Sequence, residues 1–487
     1  MSYDVQINRS TVTKSFFWKI FERVMSQGVN LVIQIVLARI LLPEHFGSLA
    51  IIVALTNYAN IFVQSGISTV IVQKNDLETK DVSTLLTFSL AIAVFFYIIL
   101  FAGAPFFASY YKSSILSPTL RVISLTLFLN SISSVQTGLL TRQMKFKALF
   151  FRTIVAVPVS GVVGIIMALN GFGLWALVSH TMVNMLCIVI FMSFDKQLRV
   201  PLGFSFTRMK SMFGYTMKIM LTGLVSGGHD FIRTMLIGKK YSAESLAYYD
   251  KGYTYSSLVT MVVKQSLGSV LLPTFSREQD NREKIKYMAR RTVSMSNFIL
   301  MPVLVAVAMM SKPLILLLLT DKWLACVPFL TLFCFLRLPG NIIAVDNQVY
   351  YALGRSGINL FYEIGLFVLN VSVLLITVRI SIMAIAVGAL LVEFVGLLAI
   401  CLTSKRVYDY TLSNRFADLW KTTLSSFVMA LCIYGVSYIN VGPIPLLMIE
   451  IVVAVSVYMA MCRLTKDDNI QYSLALVKDL LHKKNDK

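Results

Sequence analysis

Charged residues are scarce in this chain. Only 14% of its 487 residues are Asp, Glu, Lys or Arg, whereas soluble proteins carry about 25%. The sequence has four histidines and six cysteines, and the cysteines lie in apolar stretches without a CxxC pair. No HExxH, GxSxG or P-loop pattern occurs. The composition therefore excludes an ordinary soluble multidomain enzyme, and we predict no catalytic residues, no metal site and no cofactor.

Long apolar runs are what the chain has in abundance. Hydrophobic residues make up 57% of it, and its mean hydropathy is +0.74. Because a helix needs roughly 20 apolar residues to cross a bilayer, we predict an all-α polytopic membrane protein with about fourteen transmembrane helices. The predicted spans are 16–42, 46–72, 82–108, 117–141, 147–169, 172–194, 211–238, 244–273, 290–311, 325–353, 357–378, 380–403, 420–439 and 443–462.

The loop cations predict the orientation of these spans. Lys and Arg concentrate in every second connection, which is typical of segments on the cytoplasmic side. This pattern places the N and C termini in the cytoplasm and attributes the net charge of +20 to topology rather than to nucleic-acid binding. The opposite connections hold few cations, namely Lys112, Lys239, Lys240, Lys312, Lys322 and Arg379.

The chain shows signs of an internal duplication with an offset of 200 residues. The outer turn 37–52 corresponds to the turn 237–250, so that Glu44 falls on Glu244. In the first turn we expect Pro43 to begin the second helix and Gly47 to let it pack against a neighbour. The predicted units are an N-terminal lobe (1–194), a cytoplasmic linker (195–210), a C-terminal lobe (211–403), two extra helices (404–463) and a basic tail (464–487). Two parallel six-helix lobes are typical of transporters.

Charges within the spans need a partner or a function, because each costs about 2.5–3.5 kcal/mol on insertion scales. Arg23 and Lys264 are nearest to mid-span, in the first and second helices of opposite predicted lobes. Two such cations suit a ligand that bears phosphate. Further candidates are Lys19, Lys218, Arg152 and Arg337. Snorkelling to the interface is the competing interpretation for Lys19, Arg152, Arg337 and Glu450.

Carboxylates and polar side chains complete the candidate set. Asp230, beside His229, is the first candidate for a site that binds H⁺ or Na⁺, and Glu363 is the second. A salt bridge from Asp230 to Arg233 is the structural alternative. The residues predicted to line a polar cavity are Asn30, Tyr58, Asn60, Gln64 and Tyr255.

Five stretches carry a resemblance to a known family. They are "LARILLPEHFGSLAI" (37–51), "SGISTVIVQK" (65–74), "TGLLTRQMKFKALF" (137–150), "SVLLPTFSREQDNREKIK" (269–286) and "LLTDKWLACVPFLTLFC" (318–334). In this order they resemble the Wzx-type polysaccharide exporters, which are lipid-linked oligosaccharide flippases of the multidrug/oligosaccharidyl-lipid/polysaccharide (MOP) superfamily. The most similar branch exports colanic acid, succinoglycan or teichuronic acid units.

The resemblance implies a flippase in the bacterial cytoplasmic (inner) membrane. Such proteins move undecaprenyl-diphosphate-linked repeat units to the outer leaflet by alternating access of two lobes, driven by an H⁺ or Na⁺ gradient. Related peptidoglycan-precursor flippases hold the diphosphate with basic residues of helices 1, 2 and 8. The matching helices here offer Lys19, Arg23 and Lys264, whereas helix 2 offers only Gln64. The implied partners are the lipid-linked oligosaccharide, membrane lipids and the polysaccharide polymerase with its chain-length machinery.

Three other functions compete with this interpretation. A drug/cation antiporter of the same fold would favour an acidic cavity, whereas the interior charges here are mostly basic. A membrane glycan polymerase or ligase would need a long outer loop, and the predicted outer loops are short. A scaffold without transport activity would have no use for mid-span cations.

Overall fold

The computed structural model describes the backbone of residues 9–64, 66–74, 76–439 and 441–470; within these ranges, the side chains of 9–17, 19, 20, 22–24, 196 and 262–270 lie outside the description. Every regular element in these ranges is helical. The α-helices are α1 (Arg9–Ile40), α2 (Pro43–Gln64), α3 (Ile67–Gln73), α4 (Thr79–Tyr110), α5 (Leu116–Ile123), α6 (Thr126–Arg142), α7 (Phe146–Leu169), α8 (Leu174–Ser193), α9 (Phe206–Lys240), α10 (Ala243–Ser276), α11 (Arg282–Met309), α12 (Ser311–Leu318), α13 (Val327–Ala352), α14 (Ser356–Thr377), α15 (Ile382–Tyr408), α16 (Leu412–Val436) and α17 (Pro443–Leu464).

These helices form fourteen long segments once α2 is joined to α3, α5 to α6 and α12 to α13. They correspond one for one to the predicted spans, so the all-α fold class is confirmed. Helices are required here because the backbone N–H and C=O groups have no water to bond within lipid. Eleven of the segments are long and apolar enough to cross a membrane, judged by their length and composition. The exceptions in the described part are α1, α9 and α10, which carry interior charges such as Lys218 and Lys251.

The chain divides into two compact units, Met1–Ala247 and Tyr248–Lys487. Helix α9 packs against α2 and α4 within the first unit. The last residues of the predicted linker 195–210 are helical, because α9 begins at Phe206. The lobes drawn from the sequence remain predictions.

The second predicted span is interrupted in the first unit. Gly66 follows α2 with a left-handed backbone (φ +69°), and α3 begins at the next residue. A Cβ at Gly66 would lie 2.7 Å from the Cδ1 atom of Ile219 on α9. The predicted span 46–72 falls within one candidate membrane span, Pro43–Gln73, but its helix is interrupted, because a residue without a side chain turns the backbone where α9 passes close by.

A buried carboxylate ties α4 to α9. Asp81 is completely buried and lies 2.7 Å from Lys74 Nζ and 3.0 Å from Arg208 Nη1. Arg208 also reaches Glu78 at 2.7 Å, and Glu78 and Asp81 form a capping box at the start of α4. Both donors neutralise a charge that would be costly to bury alone. The pairs fix the start of α9 against the end of α4 that bears the capping box.

Ion pairs also join helix ends in the second unit. Arg290 on α11 meets Asp418 on α16, with Nη2 and Oδ1 2.6 Å apart, and Lys286 Nζ lies 2.6 Å from Asp409 Oδ2. The hydrogen bond and charge of Lys286 lower the pKa of Asp409. Asp409 adopts a left-handed conformation (φ 56°) that ends α15. These pairs hold α11 against the connection between α15 and α16.

A deeper polar cluster connects α13, α15 and α16. Asp346 is completely buried, and its Oδ1 atom lies 2.8 Å from Arg415 Nη2. Tyr408 donates its hydroxyl to the same carboxylate, and Arg415 also donates to Ser404 Oγ at 2.7 Å. The guanidinium lies 4.0 Å from the ring centroid of Tyr410. The buried guanidinium of Arg415 therefore stacks on an aromatic ring with one face and donates hydrogen bonds from its Nη2 atom.

Candidate substrate-binding residues

Three of the predicted diphosphate-binding cations lie on α1 and α10. Lys19 and Arg23 belong to α1, and Lys264 belongs to α10. Their side chains lie outside the described residues, so their role as phosphate ligands remains a prediction.

Arg152 braces three helices. Its Nη1 atom lies 2.9 Å from Thr137 Oγ1 on α6 and 2.8 Å from Met192 Sδ on α8. The side chain is half-buried on α7, and the contacts hold its head group between helices. This geometry differs from the predicted snorkelling towards water, because the guanidinium reaches sideways to neighbouring helices. A role in binding diphosphate remains a prediction for Arg152.

Arg337 stacks on an aromatic ring in the second unit. Its guanidinium lies 4.3 Å from the ring centroid of Tyr253 on α10, and Nη2 is 3.4 Å from the Tyr253 carbonyl oxygen. Tyr253 in turn meets Phe333 edge to face, with ring centroids 5.4 Å apart. Half-buried Arg337 is therefore oriented by α10 rather than extended to an interface. Lys218, by contrast, is exposed on α9 in the first unit.

One buried cation is absent from the sequence predictions. Lys251 on α10 is only 7% exposed, and its Nζ atom lies 5.9 Å from the ring centroids of both Tyr255 and Trp323. The i, i+4 spacing to Tyr255 was the signal that could have revealed it, because residues so spaced share a helix face. Lys251 with Tyr255 and Trp323 therefore forms one cation–aromatic group, and Arg337 with Tyr253 forms a second.

The residues predicted to line a cavity have different environments. Tyr58 on α2 stacks on Phe231 of α9, with ring centroids 4.4 Å apart and an angle of 14° between the planes. Asn60 is half-buried, and its Oδ1 atom has no hydrogen-bond partner in the described part of the chain. The same holds for the Tyr255 hydroxyl. Gln64 is exposed and Asn30 half-exposed. The α2–α9 and α10 elements thus hold polar atoms that a ligand could satisfy.

The carboxylates within the predicted spans have different surroundings in the structure. Asp230 Oδ1 lies 2.7 Å from Arg233 Nη1 and 3.6 Å from His229 Nδ1. The salt bridge that the sequence left as an alternative is therefore present. Glu363 is exposed on α14. Glu450 is completely buried in α17, which contradicts the snorkelling interpretation, and neither of its carboxylate oxygens has a hydrogen-bond partner among the described residues.

Comparison with known proteins identifies the family. Residues 36–328 match the polysaccharide biosynthesis protein family, and the chain belongs to it. It is 24% identical over 327 residues to the succinoglycan biosynthesis transport protein ExoT of Rhizobium meliloti, covering 67% of this chain and 66% of that protein. It is 22% identical to the teichuronic acid biosynthesis protein TuaB of Bacillus subtilis (78% and 80% covered) and 21% identical to the lipopolysaccharide biosynthesis protein WzxC of Escherichia coli (86% and 81% covered). The resemblance seen in the sequence is confirmed.

Solved structures show the same fold. The lipid II flippase MurJ in an inward closed conformation superposes with a TM-score of 0.75 at 15% identity, covering 92% of this chain and 99% of that one. An inward-facing MATE family multidrug transporter of the MOP superfamily superposes with a TM-score of 0.59 at 13% identity, covering 78% and 95%. The chain is therefore a multi-pass membrane protein that shares the fold of these two structures and belongs to a family of polysaccharide biosynthesis proteins.

Proposed function

We propose that the protein is a flippase that moves undecaprenyl-diphosphate-linked oligosaccharide units from the cytoplasmic to the outer leaflet of the bacterial inner membrane. Family membership carries this proposal, because relatives across most of the chain are named for the synthesis or transport of surface polysaccharides. The MurJ-like fold supports it, since that protein is named as a lipid II flippase. Polymerase and chain-length proteins are the proposed downstream partners.

The mechanism we propose assigns the diphosphate to the interior cations. Arg23 and Lys264 would donate charge-assisted hydrogen bonds to phosphate oxygens, and Lys19, Lys218 and Arg152 would add positive potential. Arg337 is oriented by the Tyr253 ring and supplies a planar fork that suits a phosphate. Alternating access of the two lobes would then expose the bound lipid to each leaflet in turn.

An ion gradient is the proposed source of energy. Asp230 is paired with Arg233 in this structure. Protonation of Asp230, or its binding of Na⁺, would break this salt bridge, so that the ion would replace Arg233 as the partner of the carboxylate. Glu363 is the second proposed position, and it lies on the surface of α14. Either step would bias the equilibrium between two conformations.

Translocation by reconstituted protein tests this function. The full chain is placed in proteoliposomes with undecaprenyl-diphosphate linked to a fluorescent oligosaccharide, and the fraction of label accessible to an external quencher is followed over time. We expect the label to change leaflets faster than in empty vesicles, and faster still under an imposed H⁺ or Na⁺ gradient. Efflux of an organic cation such as ethidium without lipid movement would instead identify an antiporter.

Loss of either mid-span cation is expected to slow translocation. A charged hydrogen bond is worth about 1.5–3 kcal/mol, so Arg23→Ala or Lys264→Ala should reduce the rate at limiting lipid about 10- to 100-fold. Arg379→Ala is the matched control, because Arg379 is exposed between α14 and α15. Wild-type rates in both variants at equal protein levels would contradict the proposed diphosphate site.

A further inference from the structure

A polar cavity of about 550 Å³ lies in the first unit beside the turn between α1 and α2 and the turn between α9 and α10, which we call the two elbows. Its wall residues come from the first turns of α2, from the end of α4 with the connection to α5 and the first residue of that helix, and from the end of α9 with the connection to the start of α10. This volume falls within the roughly 300–1,000 Å³ of small-molecule sites. The orientation predicted from the loop cations would put this end of the helices on the outer side of the membrane. Charged and aromatic side chains line much of the cavity, among them Glu44, Tyr110, Tyr111, Lys239, Tyr241 and Glu244.

The cavity is held open by contacts that fix its walls. Tyr111 donates its hydroxyl to the carbonyl oxygen of Met235 at 3.2 Å, which anchors the end of α4 on α9. Lys239 donates to the carbonyl oxygen of Tyr110 at 2.6 Å, and its Nζ atom lies 3.7 Å from the centre of that ring. Tyr110 and Tyr111 meet edge to face at 5.2 Å. Two aromatic rings therefore have defined positions before any ligand binds, which lowers the entropic cost of binding.

The charge of the lining disfavours phosphate. Glu44 and Glu244 stand against Lys112 and Lys239, so the charged side chains of the wall sum to zero. The two carboxylates offset the attraction that the two ammonium groups would have for a diphosphate. Hydroxyl groups suit this mixture better, because carboxylates accept from them and ammonium groups donate to them. Serine hydroxyls at positions 48, 113 and 242 add further donors and acceptors.

A pyranose sugar has two kinds of surface, and the tyrosine rings and carboxylates of this cavity are complementary to them. The C–H faces of such a ring are apolar and pack on aromatic faces, whereas its rim carries hydroxyl groups. Tyr110 is 41% exposed and so offers ring surface to a ligand. We propose that this cavity binds hexopyranose units of the transported oligosaccharide and holds the glycan on the outer side while the lipid moves. This inference rests on the proposed function for its substrate, but the site can be tested alone.

Direct glycan binding is the decisive measurement. Detergent-solubilised full-length protein is applied to an array of neutral and acidic soluble hexo-oligosaccharides, with inorganic pyrophosphate as a competitor. We expect wild-type protein to bind a subset of the array and pyrophosphate to leave that binding unchanged. No bound oligosaccharide, or displacement by pyrophosphate, would overturn the assignment.

Two double variants locate the binding. Tyr110→Ala/Tyr241→Ala removes aromatic surface, and Glu44→Gln/Glu244→Gln keeps shape while it removes charge; each should weaken glycan binding at least about tenfold. Tyr434→Ala/Tyr438→Ala is the matched control, because these two exposed rings, one in the last turn of α16 and one just after it, pack on each other. Unchanged binding in both cavity variants, or equal loss in the control, would overturn the proposal.

Translocation separates this site from the proposed function. The same proteins are assayed in proteoliposomes with undecaprenyl-diphosphate bearing either an oligosaccharide or a single N-acetylhexosamine. We expect the cavity variants to require about tenfold more oligosaccharide-lipid for half-maximal rate and to move the single-sugar lipid like wild type. Glycan binding without movement of either lipid by wild type would retain the site and reject the flippase. Movement of both lipids by cavity variants at wild-type rates would reject the site and retain the flippase.

Discussion

Replacement of Asp346 by alanine is expected to cost the folded protein about 3–5 kcal/mol, the range measured when one member of a buried ion pair is removed. Arg415 would stay in an interior where its side chain is 5% exposed, without the carboxylate that lies 2.8 Å from it. Tyr408 would lose the same acceptor. We expect a large fall in the melting temperature of the detergent-solubilised protein, measured by loss of its monodisperse chromatographic peak on heating.

The double variant Asp346→Leu/Arg415→Met should recover most of that loss. Apolar replacements of similar size avoid both desolvation penalties, and the present pair leaves Asp346 Oδ2 and Arg415 Nη1 without hydrogen-bond partners among the described residues. Glu278→Ala is the control, since it breaks a more exposed pair with Lys284 and should change stability by less than about 1 kcal/mol. A single Asp346→Ala variant as stable as wild type would show that the pair is not a structural anchor.

Hydropathy was sufficient to predict the helices because lipid leaves the backbone no other way to satisfy its polar groups. It could not predict where a helix breaks inside an apolar run. Gly66 interrupts the second span because Ile219 of another segment lies against it, and that contact joins residues far apart in the sequence. The hydropathy of the chain is similar on both sides of such a break, so a local hydropathy average cannot locate it.

The candidate site was less predictable, because sequence spacing does not give the direction of a side chain between helices. Arg152 and Asp230 were chosen for their charge, and the structure gives each a neighbour within 3 Å. Lys251 is not among the residues singled out from the sequence, although it is more deeply buried than Arg152. Burial of a cation depends on which aromatic rings other helices bring to it, and Trp323 lies more than 70 positions away.

Gly47→Ala is expected to destabilise the first unit strongly. An ideal Cβ at this position would lie 1.6 Å from the carbonyl oxygen of Ala243 and 2.4 Å from its carbonyl carbon. These are backbone atoms, so no side-chain rotation can relieve the overlap, and the first turns of α2 and α10 must separate. Overpacked cores lose about 1–3 kcal/mol, and we expect the upper end of that range or more. Thermal unfolding in detergent measures the effect.

Gly103→Ala provides the matched control on α4. Its added Cβ would meet only the Phe107 ring of the same helix, at an ordinary 3.5 Å, and alanine is favoured over glycine within helices by about 1 kcal/mol. We therefore expect Gly103→Ala to melt at or above the wild-type temperature and Gly47→Ala well below it. The comparison also bears on the duplication, because Ala247 occupies the corresponding place in the second elbow and is buried with its methyl group in place. Equal melting of Gly47→Ala and wild type would contradict the close backbone contact between Gly47 and Ala243.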